Sequence, residues 1–189
     1  MGNYQKAVAS NPFDKALHEQ AQLRLGESQG LTANWPASEA TYAKFISSYP
    51  KHDFIRKAHL GIGWAQENQK KYVPAVASYM KVTESGEPDE DGARAQFQIG
   101  ECHLAQDDYN NAIKEFVRVI VSYGKKTEWV SKALLEMGHT LDRQGDALKA
   151  KGQIEEAAAA KKQARARYQE VVEKYKGTDA ATIAAARLK

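Results

Sequence analysis

A single cysteine, Cys102, and five prolines are all that the 189 residues hold of the two side chains that most constrain a backbone. One thiol closes no intramolecular disulfide and anchors no cysteine-rich metal site. So few prolines leave long stretches open to helix, and no stretch alternates β-branched with polar residues as a strand would. Charge of one sign is scarce too: 27 Lys and Arg interleave with 24 Asp and Glu, for a formal net charge of +3. That balance gives no nucleic-acid footprint and no mark of an enzyme for acidic substrates. No apolar run reaches the length of a membrane span, and residues 1–25 lack the apolar centre of a signal peptide, which leaves the compartment open. Catalytic signatures are missing as well. His18, His52, His59 and His139 are scattered with no HExxH pair, and the chain has no glycine-rich phosphate loop, GxSxG elbow or tight acidic pair. The expectation is a non-enzyme with no catalytic residue, metal or cofactor.

What the chain does have is a period. Gly26, Gly63, Gly100 and Gly138 stand 37, 37 and 38 residues apart, each preceded by a large aliphatic residue: Leu25, Ile62, Ile99 and Met137. Tyr42, Tyr79 and Phe116 follow the first three glycines by sixteen residues, and Tyr4 and Tyr168 extend the series at the ends. A spacing near 37 is too long for one helix and a turn and too short for a domain, so the unit is a pair of helices. In the clearest unit Asp107 and Asp108 begin a turn and cap the second helix. That helix sets Tyr109, Ala112, Ile113, Phe116, Val117 and Ile120 on one apolar stripe. A small residue follows each of the first three glycines by twelve, Ser38, Ala75 and Ala112, letting the two backbones approach while the aromatic fills the space beside them.

These residues resemble the tetratricopeptide repeats (TPRs). The match is a large aliphatic before a glycine, a small residue twelve on, an aromatic sixteen on and a proline twenty-four on, here Leu25, Gly26, Ser38, Tyr42 and Pro50. The period exceeds the family's usual 34, and Gln22, His59, Gln96 and Leu134 stand where it has an early tryptophan. The lengthened units look like those of bacterial cell-envelope TPR proteins, the Tol-Pal-associated protein and the lipoprotein of the outer-membrane barrel-assembly machine among them. That resemblance implies periplasm or cell envelope ahead of cytoplasm. It also implies an all-α, right-handed solenoid of antiparallel hairpins. The expected layout is one solenoid: a closing helix over 1–12, repeats over 13–50, 51–87, 88–124 and 125–177, and a terminal helix over 178–189. Both ends fall inside a repeat, as in a segment of a longer array or a chain capped by its last helix.

The last unit carries fourteen extra residues between Gly138 and Tyr168, and they divide evenly. Seven in each arm return the packing face to register, so the expectation is a protruding hairpin with its tip near Lys151, Gly152 and Gln153. A proline should be tolerated at Gly152 and not at Ala159. Two local clusters invite a chemical reading and do not sustain it. Gly100-Glu-Cys-His103 places a thiol and an imidazole on adjacent helical positions that diverge by about 100°, so Cys102 reads as a small buried hydrophobe. Glu84 to Asp91 is rich in carboxylates but lacks the alternation of a calcium loop; it reads as an exposed connection with Asp91 capping the next helix.

Function then rests on the inner face that the resemblance implies. Transferring the family's ligand-facing offsets gives Gln20, Leu23, Glu27, Gly30 and Leu31, then Lys57, Leu60, Trp64, Glu67 and Asn68. The later units give Arg94, Phe97, Glu101, Leu104 and Ala105, then Lys132, Leu135, His139, Asp142 and Arg143. Lys57, Arg94 and Lys132 form a basic row beside the apolar row of Leu23, Leu60, Phe97 and Leu135, a pairing suited to a protein or peptide partner that is acidic. The alternative is that the basic row is solvated and the apolar row is core between repeats. The implied role is a protein-interaction scaffold working through the concave face; self-association or end-to-end packing through the terminal helices stands beside it.

Overall fold

The described residues of the computed structural model are 2–5, 15–84, 86 and 88–189, without the side chains of 15 and 16. They are all-helical, as expected. Residues 2–5 are helical, and the remainder of the helix expected over 1–12 lies outside the described residues. Two compact units divide the chain. In Met1–Gly86 the helices are α1 (Lys15–Leu31), α2 (Trp35–Ser48), α3 (Ile55–Asn68) and α4 (Tyr72–Thr83). In Glu87–Lys189 they are α5 (Glu90–Leu104), α6 (Tyr109–Ser122), α7 (Thr127–Ala150), α8 (Ile154–Lys174) and α9 (Asp179–Leu188). The pairs α1 and α2, α3 and α4, α5 and α6, and α7 and α8 are hairpins. No described helix is long and apolar enough to cross a membrane.

One contact recurs at the centre of every hairpin. A Cβ built on Gly26 would stand 2.9 Å from the Tyr42 ring, and one on Gly63 would stand 2.6 Å from the Tyr79 ring. The corresponding distances are 2.5 Å from Gly100 to Phe116 and 2.4 Å from Gly138 to Tyr168. All four are closer than a real Cβ approaches a neighbour, so each ring lies flat on the space the missing side chain vacates. The small residue beside the first glycine does more than stay small: the buried Ser38 hydroxyl donates to the Gly26 carbonyl at 2.8 Å.

The turns repeat with the same fidelity. Ala33, Lys70 and Asp107 have φ of 57°, 59° and 58° and lie seven residues after their glycines. In each turn the left-handed residue donates its N–H three residues back, and the next residue donates five residues back. This is the Schellman closure of a helix C-terminus. Gly152, φ 78°, makes the same pair of bonds to Lys149 and Leu148, fourteen residues after Gly138. The turn has moved out by one heptad. Helix ends agree: α1, α3 and α5 stop four or five residues after their glycines and α7 stops twelve after; α2, α4 and α6 start seven before their rings and α8 starts fourteen before. The lengthened hairpin and its tip at 151–153 are therefore as expected. The expected tolerance of proline at Gly152 is not, because a ring that fixes φ near −65° excludes the left-handed turn that closes the arm.

Two other local expectations are corrected. The cap of α5 is Asp89, whose carboxylate accepts from the Gly92 N–H at 2.8 Å, and not Asp91, which lies in the first turn beside Glu90. There both carboxylates still face the positive end of the helix. On α6 the buried stripe is Ala112, Glu115, Phe116 and Val119, while Val117 is 40% exposed. The stripe is rotated because Glu115 is taken inside, where it accepts from Gln96 Nε2 at 2.6 Å and pairs with Arg118 at 2.7 Å. A buried carboxylate held this way replaces an aliphatic on the packing face. Asp108 caps α6 as expected, accepting from the Asn111 N–H, and Cys102 is fully buried.

Candidate functional site

The residues expected on the inner face separate by burial. In the first unit, Leu60 is buried and Lys57 is exposed, its ammonium 5.4 Å from the centre of the Phe54 ring. Trp64 is half-buried, edge-on to Trp35 at 4.9 Å and seated over Gly30, where a Cβ would come within 2.5 Å of it. Asn68 donates to the Trp64 carbonyl at 2.8 Å, and Glu67 accepts the Tyr79 hydroxyl at 2.6 Å. Glu27 pairs with Arg24 at 2.8 Å.

In the second unit, Phe97 packs on Phe116 and Trp129 at 5.4 and 5.6 Å, and Leu135 lies in a cluster with Leu134, Tyr168 and Val171. These two, with Leu60, have little surface left for a ligand. Lys132 sits 4.7 Å from the Trp129 ring centre and bonds Glu128 at 2.6 Å. Arg94 is exposed and makes no ion pair among the described residues.

Five expected residues do converge. Glu101, Leu104, His139, Asp142 and Arg143 line a cleft of about 460 Å³ in the second unit, together with Glu136, Asp146, Lys161 and Arg187. Its walls are the first helices α5 and α7, the terminal helix α9 and the start of α8. The four additional residues escaped the offsets for definite reasons. Glu136 lies two residues before its glycine, Asp146 lies in the inserted heptad, Lys161 belongs to a second helix, and Arg187 to the last one.

Charge inside the cleft is organised by hydrogen bonds. Lys161 reaches Asp146 at 2.8 Å and Asp142 at 3.5 Å, across the bare backbone of Gly145. Asp142 also accepts the Tyr168 hydroxyl at 2.7 Å. Burial, then this hydrogen bond and the carboxylate charge, hold the Tyr168 phenol well above its ordinary pKa. Arg143 pairs with Asp107 at 2.7 Å and lies over the Tyr109 ring at 5.8 Å. Tyr109 donates to the same Asp107 oxygen at 2.9 Å. His139 places Nδ1 3.2 Å from both oxygens of Glu136, with its ring 5.7 Å from that of Tyr168. A carboxylate only accepts, so Nδ1 carries the proton in this contact, while Nε2 is buried and without a hydrogen-bond partner among the described residues.

A rule within the repeats was legible and went unread. In the last three repeats the residue four after the glycine is Glu67 or Asp142 where the ring is Tyr79 or Tyr168, and Leu104 where the ring is Phe116; the first repeat departs from this, with Gly30 four after Gly26 and Tyr42 as its ring. A buried phenol hydroxyl needs an acceptor and a phenyl ring does not. Glu67 and Asp142 are thus held first of all by their own repeats.

Among the described residues no group of three or more His, Cys, Asp or Glu is arranged to hold a metal ion. The tetratricopeptide-repeat family model matches residues 20–52 and 94–125. No curated protein matches the chain in sequence. Among solved structures it resembles a crystal structure of MamA, a TPR protein, at TM-score 0.62 and 15% identity over 90% of this chain and 87% of the other. A second MamA crystal structure gives TM-score 0.61 at 15% identity over 90% and 82%. A structure titled MamA MSR-1 C2 gives 0.57 at 20% identity over 89% of each chain. At these identities the likeness is one of fold. Residues 20–52 and 94–125 thus match the tetratricopeptide-repeat model, and the described helices take the hairpin arrangement of the solved TPR structures.

Proposed function

We propose that the chain is a non-enzymatic protein-interaction scaffold and that the cleft of the second unit receives a segment of its partner. The observation that carries this reading is the convergence of Glu101, Leu104, His139, Asp142 and Arg143 on one cleft of about 460 Å³ walled by α5, α7, α8 and α9. A volume in that range suits a few residues of extended chain or a small molecule. Its lining suits polar recognition: apart from Leu104 every residue of the wall is ionisable, and half-exposed charged pairs can exchange an internal partner for an incoming one at small net cost. The basic row contributes less than the sequence implies, since Lys132 is already engaged and Phe97 and Leu135 are core. In the first unit Lys57 and the open edge of Trp64 are the residues left for contact.

The test is capture of a partner from the source organism by the wild-type chain, by a His139→Ala/Arg143→Ala variant, and by Val121→Ala on the exposed outer side of α6. The expected result is a protein held by the wild type and by Val121→Ala and lost from the cleft variant by tenfold or more, the equivalent of about 1.4 kcal/mol. Equal capture by all three refutes the cleft. Light scattering that shows concentration-dependent oligomers with no captured partner would move the function to self-association.

A further inference from the structure

The first unit has a corner made of two indoles. Trp35 is the first residue of α2 and Trp64 stands on α3, their ring centres 4.9 Å apart and their planes crossing at 81°. Both are half-buried. Trp64 rests the Cε3–Cζ3 edge of its ring on Gly30, where a Cβ would come within 2.5 Å of Cζ3. That edge lies across the ring from the N–H, so the seat on α1 leaves the donor outward. Neither Trp35 nor Trp64 gives its indole N–H to a partner among the described residues, and neither donor is sealed from solvent. Trp129 in the second unit differs, donating its N–H to Glu90. Indoles with one edge packed and a donor left open suit an interface, where one end of the side chain is apolar and the other is free to bond.

Charge stands at a fixed distance from this corner. Lys57 precedes Trp64 by seven residues, two turns of α3 and about 10 Å along the same face. It is exposed, its ammonium 5.4 Å from the centre of the Phe54 ring, and it forms no ion pair among the described residues. The other polar residues expected on this face are engaged: Glu27 by Arg24, Glu67 by the Tyr79 hydroxyl and Asn68 by the Trp64 carbonyl. Leu31, the residue after Gly30, is 74% exposed. The face thus offers two crossed aromatic surfaces, two N–H donors, an aliphatic side chain and one cation.

We infer that this corner docks a proline-containing segment in the polyproline II conformation, with a carboxylate three residues from the proline set against Lys57. A helix satisfies its own carbonyls, whereas polyproline II leaves every carbonyl open to a donor such as an indole N–H, and its proline rings pack on aromatic walls. A pyrrolidine placed between two rings near a right angle touches both. The conformation exists before binding, so little chain entropy is lost. Three residues of polyproline II make one turn of about 9 Å, which puts residues three apart on one side at nearly the rise between Trp64 and Lys57. The inference does not rest on the cleft of the second unit; it adds a separate contact surface in the first.

The experiment uses the full chain and three fluorescein-labelled peptides of equal length, read by anisotropy. One is proline throughout with a central glutamate, the second has lysine in that place, and the third is serine throughout with the central glutamate. The glutamate–proline peptide is expected to bind saturably, the lysine–proline peptide about threefold or more weakly and the serine peptide at least about tenfold more weakly. Trp35→Phe and Trp64→Phe keep a ring and remove the N–H, and each should weaken binding of the glutamate–proline peptide about fivefold or more. Lys57→Gln should bring the two proline peptides to equal affinity, and Lys162→Gln, exposed on α8, should change nothing. Thermal midpoints are the control for folding; if Trp64→Phe lowers its midpoint, Trp35→Phe and Lys57→Gln carry the test. Equal binding of the glutamate–proline peptide to wild type and both Phe variants would overturn the inference, as would a serine peptide that binds as tightly as the proline peptides. Absence of binding by either proline peptide would overturn it too. A dimer in light scattering that Trp64→Phe dissolves, with no peptide bound, would instead give this surface to a second copy of the chain.

Discussion

The hairpins α5–α6 and α7–α8 are built on one plan with one difference in length. Both rest a ring on a glycine, Phe116 on Gly100 and Tyr168 on Gly138, and both close with the same left-handed turn, at Asp107 and at Gly152. Between ring and turn the second hairpin holds one additional heptad per arm. Seven residues are close to two turns of helix, so the faces that meet at the base are unchanged by the insertion. The inserted part is thin, packed through Gly145, Ala157 and Ala160. The consequence for function is that the longer arm carries Asp146 into the cleft wall without disturbing the register that places Glu136, His139 and Asp142. Polarity differs in parallel. The shorter hairpin faces a phenyl ring with Leu104, and the longer one faces a phenol with Asp142.

The largest expected effect strikes what the two share. Phe116 is fully buried, and Phe116→Ala should cost about 3–5 kcal/mol in denaturant titration. It should lower the cooperativity of the second unit, because each hairpin relies on its neighbour for burial. A loss below about 1 kcal/mol would place the ring away from the hairpin centre.

A smaller effect tests the difference in polarity. Phe116→Tyr brings a hydroxyl toward Leu104 and should cost about 1–3 kcal/mol as a buried group without an acceptor. Adding Leu104→Asp should recover part of that loss. A double-mutant cycle should give a favourable coupling between about 0.5 and 3 kcal/mol, and zero coupling would show that ring and fourth residue do not read one another.

Smaller again is the pH effect that separates the hairpins. The folded pKa of Tyr168 is raised above its unfolded value near 10, so its contribution is fully present below that pH and is lost as pH rises toward the folded value. The wild type should therefore lose stability relative to Tyr168→Phe in the alkaline range, with the two running parallel below about pH 9. A constant difference across the alkaline range would remove the buried hydrogen bond to Asp142 from the account.

How much of this the sequence discloses depends on whether a feature is periodic. The glycines, the rings and the even division of the insertion are periodic, and they locate the hairpins and the tip at 151–153 before any coordinates. The cap at Asp89, the buried Glu115 and the rotation of the α6 stripe are local choices between adjacent residues that a pattern of apolar positions does not decide. The cleft was half visible. Glu101, His139 and Arg143 follow from offsets on first helices, whereas Lys161 and Arg187 enter from other helices and Asp146 from an insertion that no offset describes. The apolar row misled because Phe97 and Leu135, read as ligand anchors, are equally good core residues, and only packing distinguishes the two uses.

The glycine beneath each ring is the central claim, and its most direct test is the sign of one substitution. Alanine is the better helix former by about 1 kcal/mol, so propensity alone predicts that Gly138→Ala and Gly100→Ala stabilise the chain. A Cβ there would stand 2.4 Å from Tyr168 and 2.5 Å from Phe116, rings that are buried and have no room to withdraw. Overpacking of that kind costs about 1–3 kcal/mol. The account predicts that both variants unfold at lower denaturant concentration than the wild type, and a gain in stability at either position would contradict it.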